Sequence, residues 1–181
     1  MKFKVKDIGE QGVDVDLALS PAWLAQECGD LEPKPDDAGV TFKGRIEPAG
    51  ATDYLLRGKL RGGLLVPCAR CLETARLPLD VEVSVIYVPR EQAPSDDEAV
   101  GEDQLDAPDV LPFDEGVIDL GPELRDEILL AVPVSVLCRE DCAGLCFVCG
   151  NNRNVNPCDC VAREQKAHSK FAALAKLKTD S

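Results

Sequence analysis

Apolar and polar positions alternate with a period of two through much of the first ninety residues, the pattern of half-buried strands. Residues 3–5 open this alternation, residues 40–46 and 54–60 are strand-like on either side of a turn-rich stretch, and residues 81–87 alternate until Pro89. Ser20-Pro21 offers an N-cap followed by proline at the first helical position, which predicts a short helix through residues 22–25. Short strands joined by Gly-rich turns predict a small barrel or sandwich.

The pattern changes after Pro89. Residues 91–117 are interrupted by Pro94, Pro108 and Pro112 and read as a linker. Asp119 is a candidate cap for a helix over residues 120–132, with Leu124, Ile128, Leu129 and Ala131 on its apolar face and Pro133 closing it. A cysteine-rich segment occupies 138–160. Residues 161–178 read as a terminal helix with a stripe of Phe171, Leu174, Ala175 and Leu177. The expected class is α+β. A β-rich, barrel-like domain over 1–90 is followed by an acidic linker over 91–117 and a small helical, zinc-binding region over 118–181.

Composition adds a location for the charge. The 181 residues carry a net charge of −13, which by itself argues against a general nucleic-acid binder or a basic membrane-surface protein. Residues 91–127 hold fourteen acids and one base, Arg125, so this single strap accounts for the whole imbalance. Arg57, Lys59, Arg61, Arg70 and Arg76 oppose only Glu73 in residues 57–76, and the terminal stretch is also basic. Those side chains are candidates to gather on one face and contact phosphate. The strap is a candidate to hold a basic partner.

The first residues carry charges throughout and no apolar h-region, so a signal peptide is not expected. No apolar run approaches the ~20 residues of a membrane helix. A cytoplasmic location follows, where thiols stay reduced and clustered cysteines bind metal or do redox chemistry.

Eight of the nine cysteines fall into pairs: Cys68 with Cys71, Cys138 with Cys142, Cys146 with Cys149, and Cys158 with Cys160. Two thiolates separated by two residues can wrap one ion, and a structural zinc site takes four such ligands. Gly150 supplies the residue that a tight knuckle needs after its second cysteine. Cys146, Cys149, Cys158 and Cys160 form the first-choice site, with Asn151, Asn152 and Asn154 suited to left-handed turns in the short loop between. Cys138 and Cys142 either complete a second site with Cys68 and Cys71 or compete with another pair, and spacing alone does not partition them. Cys28 is expected to be a buried, inert thiol.

Other chemistries fit less well. Cys142-x3-Cys146-x2-Cys149 has the spacing of a radical-SAM cluster loop, but the βα alternation of that fold is missing. Thiolate sets also hold iron–sulfur clusters. A redox role for Cys68 and Cys71 lacks the following helix that lowers a thioredoxin-type thiol pKa. His168 is the one histidine and has no evident carboxylate partner. No catalytic triad, phosphate loop or carboxylate dyad stands out, so neither an enzyme nor a small-molecule substrate is expected.

One family carries these motifs in this order. Cys68-Ala-Arg-Cys71-Leu72-Glu73 is followed by a strand ending Tyr87-Val88-Pro89, then Ile118-Asp119-Leu120 and the helix Glu127-Ile128-Leu129-Leu130-Ala131-Val132-Pro133. Next come Cys138-Arg-Glu-Asp-Cys142-Ala-Gly-Leu-Cys146, Cys149-Gly150 with an Asn-rich turn, Cys158-Asp-Cys160, and Ala172-Ala173-Leu174. From about residue 40 onward the chain resembles the YceD family of large ribosomal RNA subunit accumulation proteins. It departs from the usual pattern in having Phe147 after Cys146 and Asn152-Arg153-Asn154 in the turn. The resemblance implies a non-enzymatic factor for 23S ribosomal RNA accumulation and large-subunit assembly, with ribosomal RNA or a large-subunit ribosomal protein as partner. A zinc- or redox-responsive regulator, whose thiolates switch partner binding, is the competing reading.

Overall fold

A computed structural model describes residues 1–29, 33–93 and 109–160. The expected terminal helix, His168 and the middle of the acidic strap lie outside these residues. The elements in chain order are β1 (Lys2–Lys4), β2 (Val13–Leu19), α1 (Pro21–Glu27), β3 (Lys34–Pro48), β4 (Tyr54–Pro67), β5 (Thr74–Pro89), β6 (Asp109–Phe113), β7 (Val117–Asp119) and α2 (Gly121–Ala131). They divide into two compact units, Met1–Val66 with Arg76–Val134, and Pro67–Ala75 with Ser135–Ser181.

In the first unit β2, β3, β4, β5 and β6 lie side by side in that order, and β1 pairs with β7 as a separate two-stranded ladder. The β-rich character is as expected. Among the described residues, however, the five-stranded sheet stays open, with β2 and β6 at its edges, so it does not close into the expected barrel. The segment read as linker also contains structure. Asp109–Phe113 runs parallel to the end of β5, pairing Val85 with Asp109 and Pro89 with Phe113. Pro112 is tolerated there because β6 is an edge strand, where a missing N–H need not break a ladder.

Alternation sorts the faces of the sheet. Val40, Phe42 and Ile46 of β3, Leu56, Leu60 and Leu64 of β4, and Leu79, Val83 and Val85 of β5 are buried. Gly44 and Gly58 face each other across β3 and β4, and a Cβ on Gly58 would fall 2.5 Å from Phe42 Cζ, so glycine here makes room for the Phe42 ring. The opposite face is charged. Lys43 pairs with Asp16, Arg45 with Asp14, Lys59 with Glu82 and Arg61 with Asp80.

The two predicted helices that fall within the described residues are present. Ser20 Oγ accepts from the Trp23 amide at 3.2 Å, and Pro21 stands at the first position of α1. α2 begins one residue later than expected, with Leu120 as N-cap and Asp119 Oδ1 accepting from the Gly121 amide at 3.0 Å. Leu124 and Ile128 are fully buried, whereas Leu129 and Ala131 are only half-buried. Cys28 is buried as expected, and burial pushes its thiol pKa up.

Candidate metal centres

The second unit is built on two knuckles of the same design. In the first, which joins β4 to β5, the Leu72 amide donates to the Cys68 carbonyl at 3.0 Å and the Cys68 amide to the Glu73 carbonyl at 2.8 Å. In the second, the Gly150 amide donates to the Cys146 carbonyl at 2.8 Å and the Cys146 amide to the Asn151 carbonyl at 2.8 Å. The residue after the second cysteine is left-handed in both, Gly150 at φ 74° and Leu72 at φ 62°. Glycine made the second knuckle readable from sequence. Leucine in that conformation is unusual enough to hide the first.

The knuckles bring eight sulfurs into two groups. Cys68, Cys71, Cys138 and Cys142 form one, Cys146, Cys149, Cys158 and Cys160 the other, and within each group all four sulfurs lie within 4.8 Å of one another. Cys68 Sγ stands 3.8 Å from Cys142 Sγ, Cys71 Sγ 3.6 Å from Cys138 Sγ, and Cys149 Sγ 3.6 Å from Cys158 Sγ. These are free thiols. Zn–S bonds of ~2.3 Å give a tetrahedron edge of about 3.8 Å, so the separations suit four sulfurs around one ion. Either group could hold a metal. Four protein sulfurs would fill such a tetrahedron and leave no position for water or substrate.

Backbone amides meet the sulfurs in a repeated way. The amide two residues onward hydrogen-bonds the sulfur at Cys68, Cys71, Cys142, Cys146 and Cys158, from Arg70, Glu73, Gly144, Val148 and Cys160 respectively. Such donors stabilise thiolate, the form that binds metal. At Cys68, burial opposes ionisation, but the Arg70, Cys138 and Cys71 amides outweigh it and hold the thiol at about 6. At Cys146 the Cys149 and Val148 amides bring it to about 7. The partner thiols pay for this: desolvation of its sulfur within the cluster and the neighbouring thiols push Cys138, a residue otherwise exposed, up to about 12, and the Cys146 sulfur raises Cys158 to about 12. Four thiols this close cannot all ionise without a cation among them.

Asn154 is the side chain that sequence reading misassigned. None of Asn151, Asn152 and Asn154 is left-handed. Asn154 Nδ2 instead donates to Cys142 Sγ at 3.3 Å and to Asn152 Oδ1 at 2.9 Å. Its Oδ1 accepts from the Ala143 amide at 2.8 Å and from Arg139 Nη2 at 2.7 Å. The Asn-rich turn thus braces the Cys138–Cys142 loop rather than relieving backbone strain. Cys138 and Cys149 are exposed, while Cys68, Cys71, Cys142 and Cys146 are buried.

The expected basic zone is redistributed. Arg57, Lys59 and Arg61 share one face of β4, and the register sets Arg45 opposite Arg57 and Lys43 opposite Lys59. Carboxylates of β2 and β5 flank this stripe and pair with four of its five cations. Arg76 pairs with Asp36 at 2.7 Å, and Arg70 Nη1 donates to the Cys142 carbonyl at 3.0 Å. The face carries charge but little net excess.

A family model described as "Large ribosomal RNA subunit accumulation protein YceD" matches residues 56–178, more than half of the chain. The chain is 29% identical over 179 residues to an Arabidopsis thaliana protein named "Large ribosomal RNA subunit accumulation protein YCED homolog 1, chloroplastic", covering 88% of this chain and 55% of that one. It is 28% identical over 142 residues to the Zea mays protein of the same name, covering 67% and 48%. An uncharacterized Mycobacterium leprae protein is 26% identical over 123 residues, covering 66% and 52%. The chain therefore spans about half the length of these curated relatives. No solved structure matches it. Among the described residues no helix is long and apolar enough to cross a membrane.

Proposed function

The chain belongs to the YceD family, and on that premise we propose that it is a non-enzymatic factor supporting 23S ribosomal RNA accumulation and large ribosomal subunit assembly in the cytoplasm. The observation that carries this reading is the match over residues 56–178, which includes all eight paired cysteines. Its partner is ribosomal RNA or a large-subunit ribosomal protein. Cys68, Cys71, Cys138 and Cys142 hold one zinc ion, and Cys146, Cys149, Cys158 and Cys160 a second. Both ions are structural.

The second unit supplies the physical reason for metal. Among its described residues the buried cluster consists of Cys68, Cys71, Ala75 and Cys142, with Val136 and Leu137 packed against it, and Cys146 is buried beside its own knuckle. So small an apolar core does not fold a segment unaided, whereas structural zinc contributes folding free energy directly. Soft thiolates in closed tetrahedra suit zinc.

Depletion of the protein followed by ribosome profiles on sucrose gradients tests the role. Loss of large subunits and of 23S RNA is expected, and unchanged levels of both would refute it. Metal analysis of protein purified without air tests the ion. Two zinc ions per chain and no visible absorbance are expected, and a visible iron–sulfur band would overturn the assignment.

A further inference from the structure

The first unit contains a cleft of about 510 Å³ at β5, β6, β7 and the start of α2. That volume falls in the range of small ligand sites. Leu111, Phe113, Val117 and Pro122 give it apolar walls. Two buried polar side chains line it: Tyr87, 2% exposed, and Glu123, 8% exposed. Tyr87 Oη has no hydrogen-bond partner among the described residues. Buried hydroxyls are ordinarily satisfied, so an orphan one beside a cleft points to an occupant.

The charge around the cleft selects that occupant. Asp114, Glu115, Asp119 and Glu123 line it against a single basic side chain, Lys2. Two of these carboxylates are engaged: Asp114 with Arg90 at 2.5 Å, and Asp119 with the Gly121 amide and the Met1 ammonium at 3.0 and 3.1 Å. Glu123 has no cation within salt-bridge distance among the described residues. Glu127, Asp109 and Asp126 face it as further negative charges, and when protonated Glu123 donates to the Glu127 carboxylate. A carboxyl in the first turn of a helix is normally helped to ionise. Here burial and those neighbours prevail, and Glu123 is pushed up to about 7. The phenol is likewise raised by burial and by Glu123 and Asp119. The described carboxylates do not converge as metal ligands.

We propose that this cleft receives one arginine side chain from a basic protein segment. The apolar walls take the aliphatic stem and the guanidinium donates to Glu123; Tyr87 Oη, closed off in the free chain, becomes its second polar neighbour on a small side-chain movement. Arginine suits such a site because its planar donors lose little hydration and stack on aromatic faces. A nucleic acid is disfavoured, since its phosphates would meet Glu115 and Glu123 with only Lys2 beside them. The proposal rests on the first unit alone and does not require the ribosomal role or the metal.

The test is a nuclear magnetic resonance titration of the full chain as purified with three probes. One is a blocked glycine-flanked arginine peptide, the second its citrulline counterpart, and the third a uridine hexamer. The arginine peptide is expected to shift amides of residues 111–123 saturably. Citrulline in place of arginine, or Glu123→Gln, should weaken binding about tenfold, roughly 1.4 kcal/mol. Tyr87→Phe removes only the orphan hydroxyl and should weaken binding severalfold while preserving the melting temperature. It decides the matter if Glu123→Gln does not fold. Absence of saturable shifts at millimolar peptide, indifference to citrulline and to Tyr87→Phe, or equal binding of the hexamer to the same amides would overturn the proposal.

Discussion

Asn154 Nδ2 donates to the Cys142 sulfur at 3.3 Å, while the same side chain's Oδ1 holds the Ala143 amide next to it. One residue of the second knuckle's loop therefore fixes a sulfur of the first group. Donors of this kind orient metal ligands and spread their charge, and losing one typically costs 10–100-fold in metal affinity. Asn154→Ala should retain two zinc ions at saturation but release the ion of the Cys68 group more readily. Chelator competition measures this, and an unchanged affinity would remove Asn154 from the site.

Single cysteine variants should behave as two independent sets. Cys71→Ser is expected to lower zinc from two ions per chain to one, and Cys149→Ser to do the same at the other site. Combining the two should abolish binding. Metal analysis after desalting reads the stoichiometry. Loss of both ions from Cys149→Ser alone would mean that the groups share ligands.

Removing the metal should loosen the second unit and spare the first. Leu24, Phe42, Ile46, Leu56, Leu60, Leu64, Leu124 and Ile128 give the sheet and its helices a fully buried core of their own. Among its described residues the second unit has one small buried cluster, Cys68, Cys71, Ala75 and Cys142 with Val136 and Leu137 against it, and half of it is cysteine. Hydrogen exchange after chelation should therefore rise across residues 135–160 and stay slow in β3 and β4.

Glu123 predicts a pH dependence. Its folded value of about 7 lies above the ordinary 4.5. Between these values the folded chain binds more protons than the unfolded chain, so stability falls as pH rises from about 4.5 through 7. A displacement of that size corresponds to something on the order of 3 kcal/mol. Urea unfolding of wild type and Glu123→Gln over this range should show a clearly shallower slope in the variant, the remainder coming from Glu127, whose carboxyl burial also raises.

Gly58→Ala should destabilise the sheet. Its Cβ would meet Phe42 Cζ at 2.5 Å and the Lys43 carbonyl oxygen at 2.7 Å, and the latter is backbone that cannot swing aside. Overpacking of this kind costs roughly 1–3 kcal/mol. Denaturant midpoints check it.

Much of the architecture was legible along the chain because it is local. Ser20-Pro21 marked α1, the alternation of β3, β4 and β5 marked their buried faces, and Pro133 marked the end of α2. β6 was not legible: Asp109-Val-Leu-Pro-Phe113 carries a proline and an acid, and its strand identity comes from pairing with Val85–Pro89, some twenty residues earlier. The open sheet was not legible either, since local alternation is the same whether edges meet or not.

Chain order alone shows that eight thiols come in pairs, that Gly150 closes a knuckle, and that the excess negative charge sits in one strap. Only the tertiary structure divided those thiols. Cys68 meets Cys142 across 74 positions of chain and Cys71 meets Cys138 across 67. Spacing constrains which ligands one short loop can present, but distant loops are brought together by chain reversal and packing, which no spacing records. Tyr87 and Glu123 follow the same logic. Their residue types are ordinary, and burial beside a cleft, a property of the assembled fold, is what makes them chemically unusual.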